Sequence, residues 1–91
     1  AIDAIQEAGR TCGPDGEIIV ISFDGGRAAF EAMVRGEINV DVECNPIFAE
    51  QVAEIIDKLE KGEKVEKIYY VDEQYFDTSM DLEKIMEGRS F

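Results

Sequence analysis

The apolar positions of the chain change period along its length, and the changes predict seven elements. Ile2, Ile5 and Ala8 fall on one side at helical spacing, and Gly9 follows as a helix stop. The stretch "RTCGPDGE" is turn chemistry, with Gly13, Pro14 and Gly16 close together. Glu17 to Phe23 then runs almost continuously apolar and is rich in isoleucine and valine, the pattern of a strand covered on both faces. After Gly25 and Gly26, the alanine-rich stretch Ala28 to Val34 predicts a helix that Gly36 closes. Ile38 to Cys44 alternates, which assigns Ile38, Val40, Val42 and Cys44 to the core. Asn39, Asp41 and Glu43 share the other face, which meets water, a cleft or polar neighbours.

"CNP" predicts a helix start, with Asn45 as N-cap and Pro46 at the first helical position. Phe48, Val52, Ile55, Ile56 and Leu59 form its apolar stripe, and Gly62 ends it. Glu54 with Lys58 and Asp57 with Lys61 are favourable pairs on the wet side. Lys67 to Val71 reads as a third strand, and Thr78 with Asp81 resembles a capping box for a last helix with Leu82, Ile85 and Met86. The order helix-strand-helix-strand-helix-strand-helix means the α/β class with a mainly parallel sheet.

Composition narrows the function. At 91 residues the chain is one small domain or part of a larger one, and its start inside a helical pattern predicts part of a larger one. Nine basic residues against 21 acidic ones give a net charge of -12, which works against nucleic acid and anionic membranes. The absence of histidine removes the commonest general base and the commonest zinc ligand. Two cysteines, Cys12 and Cys44, are too few for a disulfide framework; they could pair with each other, and two free thiols is the favoured reading. There is no apolar run of membrane-spanning length.

In open α/β sheets, ligands sit beyond the carboxyl ends of the strands. Asp24 lies there after the first strand, and Cys44 with Asn45 at the matching end of the second. A carboxylate can accept from two adjacent hydroxyls, as a sugar presents them. Asp24 could equally cap the next helix or stabilise the turn. As a magnesium ligand it would want further carboxylates. As a nucleotide-loop acid it lacks both GxGxxG and GxxxxGK[ST]. Alternation turns Glu43 away from Cys44 and makes it a solvated or hinge acid. Cys44 has no histidine to activate it and reads as structural. Phe23, Tyr69, Tyr70, Tyr75 and Phe76 are candidates for a stacking wall or for the core. No nucleophile-base pair is found, so no catalytic residue, metal site or cofactor is assigned.

"IIVISFDGGRAAFEAMVRGEINVDVECNP" resembles the C-terminal part of bacterial periplasmic sugar-binding proteins of the ribose/galactose type, the extracytoplasmic receptors of ATP-binding-cassette (ABC) sugar importers. The likeness rests on a strand ending in FDG, on G-x-I-N-x-x-V-E-x-N-P, on "LEKGEKVEK", and on a tail, "YYVDEQYFD", similar to galactofuranose-type binders. It implies a partial three-layer parallel sheet, a flavodoxin-like lobe of the type I periplasmic binding fold. It places residues 1–44 in the C-terminal lobe, 45–71 in a crossing to the other lobe, and 72–91 in a returning tail. It implies that Asp24 bonds sugar hydroxyls. Cys44 stands where the family commonly has glutamine or asparagine, a departure that points to a different sugar, and Glu43 and Asn45 would take over that contact if the strand end turns locally.

The same resemblance implies a binding protein, not an enzyme, with a monosaccharide ligand and a membrane permease as partner, in the periplasm or lipid-anchored at the cell surface. Uncovered sheet edges predict a dimer or swapped oligomer when the segment stands alone. The alternative is the sugar-effector domain of a lactose-repressor-type transcription regulator, whose DNA contacts would lie in a separate headpiece. An acidic enzyme or a receiver-like domain using Asp24 as a metal or phosphate-accepting carboxylate is a third reading, and it needs an acidic cluster with a lysine that the sequence does not offer.

Overall fold

The computed structural model describes residues 1–91. Helices α1 (Ile2–Glu7), α2 (Arg27–Val34), α3 (Ala49–Glu60) and α4 (Leu82–Glu87) alternate with strands β1 (Ile21–Asp24), β2 (Val40–Glu43) and β3 (Tyr75–Asp77). The expected order is present. The three strands form one mixed sheet in the order β1-β2-β3. β1 and β2 run parallel in the register Ile21 to Val40 through Asp24 to Glu43, with α2 as the crossover. β3 lies antiparallel to β2, with Phe76 opposite Asp41.

The third strand is therefore not at Lys67–Val71, which carries no strand pairing in the chain. A β pattern becomes a strand only where a neighbour offers a ladder, and Tyr75–Asp77 has β2 beside it. β1 also starts later than the apolar run suggests. Residues before it close a turn in which Ile18 bridges Cys12.

Phe30, Ala32 and Met33 of α2 pack with Ile38, Phe76 and Leu82 into a single small core. Ile2, Val20, Met80, Ile85 and Met86 line its edge. Phe30 and Phe76 meet at 4.8 Å between ring centroids, tilted by 57°. In contrast, α3 buries none of its residues. The molecule measures 60 × 25 × 18 Å. Gly62, at φ 72°, takes the left-handed position that ends α3. Val52, Ile56 and Leu59 on the stripe of α3 stand exposed. Ile21, Phe23 and Tyr75 are exposed as well, on the sheet face away from the core.

The two faces of β2 are thus the reverse of the expectation. Asp41 is fully buried and Glu43 is 7% exposed, while Cys44 is exposed. Alternation identifies which residues share a face, but partners decide which face is covered. The polar face is covered here with most, not all, of its polar atoms partnered. Ser22 Oγ donates to Asp41 Oδ1 at 2.9 Å, and Arg89 neutralises Glu43.

Local caps also differ in two places. Asn45 does not cap α3. Its Oδ1 accepts from the Ile47 amide at 2.8 Å, an Asx turn that uses up the oxygen before the helix begins. Asp81, not Thr78, caps α4 by accepting from the Lys84 amide. The Asp77 carboxyl is held below its usual range by hydrogen bonds from the Ser79 hydroxyl and amide, which fastens the turn between β3 and α4.

Candidate functional site

β1 ends in Asp24, the only non-glycine residue of the chain with positive φ, at 92°. A residue with a Cβ rarely adopts that conformation, because side chain and backbone crowd each other. Its persistence at a strand end marks a turn held by its surroundings. Gly25 continues the turn at φ 67°, and extended Gly26 begins α2. No side chain caps α2, so Asp24 is not its cap. The residue remains exposed at the carboxyl end of the parallel pair.

The surrounding bonds explain the hold. The Cys44 amide donates to the Asp24 carbonyl at 3.3 Å. Arg89 Nη2 donates to the Gly25 carbonyl at 2.6 Å, and Nη1 donates to Glu43 Oε1 at 2.8 Å. Glu43 Oε2 accepts from the Gln74 amide at 3.2 Å, while the Glu43 amide donates to the Gln74 carbonyl. The Asn45 amide donates to Glu73 Oε1 at 3.0 Å.

Of the four sequence candidates, Asp24 and Glu43 are register partners in the sheet, with Cys44 and Asn45 following directly. All four therefore lie at one strand-end edge. Their side chains differ in what they can offer. Asp24 presents a carboxylate to solvent. Glu43 is not the solvated acid expected, because Arg89 and Gln74 occupy both its oxygens. Cys44 is an exposed free thiol, and Cys12 is free as well. Asn45 has its oxygen engaged with Ile47.

The sequence reading missed Arg89. An unpaired acid on the strand face opposite the apolar one could have signalled it, since such an acid needs a cation if that face is buried. Among the candidate aromatics, Phe76 is core, whereas Phe23, Tyr70 and Tyr75 are exposed. A cleft of about 660 Å³ lies between the start of α3 and Tyr70–Asp72, but it does not include Asp24. No three His, Cys, Asp or Glu side chains converge into a metal-binding group. No helix is long and apolar enough to cross a membrane.

No protein-family model matches the chain. A fructose import binding protein, FruE, of Bifidobacterium longum is 29% identical over 85 residues, 93% of this chain and 25% of its own length. Among solved structures, the periplasmic binding protein of the arabinose ABC transporter from Shewanella sp. ANA-3, bound to α- and β-L-arabinofuranose, is 32% identical. It superposes with a TM-score of 0.83 over 99% of this chain and 29% of its own. A galactofuranose binding protein is 31% identical, with a TM-score of 0.84 over 96% of this chain and 29% of its own. The chain spans about a quarter of the length of the curated relative it matches. Along almost its whole length it is similar to one segment of sugar-binding components of ABC transporters, and its fold is that of a part of a type I periplasmic binding protein.

Proposed function

We propose that the chain is the sugar-facing segment of an extracytoplasmic solute-binding protein that delivers a monosaccharide to the permease of an ABC importer. The observation that carries this reading is the match to sugar-binding components over 96–99% of the chain, including the turn that exposes Asp24. One of those structures is bound to arabinofuranose and the other is a galactofuranose binding protein, which makes a furanose-form sugar the favoured substrate class. In this reading residues 1–44 lie in one lobe, 45–71 cross to the other, and 72–91 return. The protein works free in the periplasm or lipid-anchored at the cell surface. It makes and breaks no bond. Asp24 accepts hydrogen bonds from adjacent hydroxyls, and closure of the lobes removes water from them. Cys44 and Asn45 flank the ligand at the same edge.

Calorimetry of the full-length protein with L-arabinose, D-galactose, D-fructose and D-ribose tests it. One of these is expected to bind. Asp24→Asn is expected to weaken that binding by about ten- to a hundredfold, the worth of hydrogen bonds to a charged acceptor. Failure of all monosaccharides overturns the reading, and an unchanged affinity in Asp24→Asn removes Asp24 from the site.

The uncovered apolar residues give a second expectation. Ile21 and Phe23 on the sheet, with Val52, Ile56 and Leu59 on α3, are exposed here, and in this reading the rest of a two-lobe protein would cover them. Expressed alone, the 91 residues are expected to self-associate in sedimentation. A monomer with cooperative melting would contradict this.

A further inference from the structure

The end of the chain reaches back to the turn that presents Asp24. Arg89 follows α4 and its side chain is only 10% exposed. Its guanidinium lies over three rings, 4.9 Å from the centroid of Phe30, 5.0 Å from Phe76 and 4.2 Å from Phe91. From that seat it bonds two segments at once, the Gly25 carbonyl after β1 and the Glu43 carboxylate at the end of β2. Glu43 is itself fixed by Gln74. A Cβ added at Gly25 would come to 3.0 Å from Arg89 Nη2, so the guanidinium packs directly against the turn.

We propose that Arg89 is a positioning residue for ligand recognition. It rests on the reading of Asp24 as a sugar acceptor. The planar fork ties the two strand ends together and holds Gly25 in the conformation that keeps Asp24 at positive φ, aimed outward from the sheet edge. Only arginine suits the place. Its donors diverge in one plane and reach two separated acceptors, whereas a lysine's three donors share one compact ammonium with no planar fork. Low exposure keeps water from replacing either bond. Asp24 makes the contact with the hydroxyls, and Arg89 acts through it.

The test uses the full-length protein with Arg89→Met, Arg89→Lys and, as a stability control away from the turn, Ile38→Ala. Amide NMR reads the turn without ligand, and calorimetry reads the monosaccharide that the unmodified protein binds best. Arg89→Met is expected to shift the amide signals of Gly25, Gly26 and Cys44, to speed their exchange, and to weaken binding about tenfold. Arg89→Lys is expected to recover part of both effects. Ile38→Ala is expected to lower the melting temperature without moving the affinity. Should Arg89→Met fail to fold, the isosteric Glu43→Gln takes its place, with the same amides shifting by less.

Unmoved turn amides with an affinity within about twofold of the unmodified protein overturn the proposal. So does an Ile38→Ala affinity loss equal to that of Arg89→Met, which would make the effect one of general stability. If no monosaccharide binds the unmodified protein, the sugar reading falls by itself. The amide signals then support or overturn the hold of Arg89 on the turn.

Discussion

Phe30→Ala is expected to destabilise the chain by about 3–5 kcal/mol. Phe30 is completely buried, and its ring contacts the two features that hold the sheet and helices together. On one side it packs against Phe76 of β3. On another it forms part of the seat of Arg89. Only ten of 91 residues are buried, so no second core can take over. Small domains have about 5–15 kcal/mol in total, and a chain with this little interior stands at the low end. The loss is therefore comparable to the whole stability. Urea denaturation followed by circular dichroism reads it directly. A change below about 1 kcal/mol would show that the core can collapse around the cavity. Val52→Ala on the exposed face of α3 is the contrasting case, with an expected change within about 0.5 kcal/mol.

The same contrast explains how much the sequence could tell. Helix stops at Gly9, Gly36 and Gly62 and the alternation of helices with strands were legible because they depend on local backbone chemistry. The position of Asp24 at a strand end was legible for the same reason. Its positive φ was not, because nothing in "FDGG" distinguishes an extended aspartate from one held at positive φ in a turn. Periodicity grouped Asp41 with Glu43 correctly but could not say that theirs would be the buried face. That depended on Arg89, 46 residues downstream of Glu43. The strand pattern at Lys67–Val71 was real as a pattern but had no ladder to join, whereas the short Tyr75–Asp77 had β2. Likewise "CNP" contains a capping residue and a helix-starting proline, and the Asx turn at Ile47 diverted the cap. In each miss the deciding group lay elsewhere in the chain or in a competing local bond.

Breaking the Glu43–Arg89 pair from one side is the second large effect. Glu43→Ala is expected to cost about 3–5 kcal/mol, against about 0.3–0.5 kcal/mol for removing the exposed Asp57–Lys61 pair, four residues apart at the end of α3. Both pairs have short contacts, 2.8 Å and 2.6 Å, so distance does not separate them. Burial does. The side chains of Glu43 and Arg89 are 7% and 10% exposed, and removing the carboxylate leaves a guanidinium in a site where water cannot replace it. Arg89 Nε has no partner even in the intact chain, and neither has Asp41 Oδ2, so the site already carries unmet polar groups. An additional orphaned charge is thus poorly tolerated. The double variant Glu43→Leu with Arg89→Met should recover part of the loss, because it removes the stranded charge. It should not recover all of it, since the bond to Gly25 and the stacking over Phe30, Phe76 and Phe91 go with the arginine. A double-mutant cycle by urea denaturation measures this coupling. Equal losses for Glu43→Ala and Asp57→Ala would show that water reaches the pair. A double variant as stable as the intact chain would show that Arg89 serves only to neutralise Glu43, leaving the Asp24 turn to hold itself.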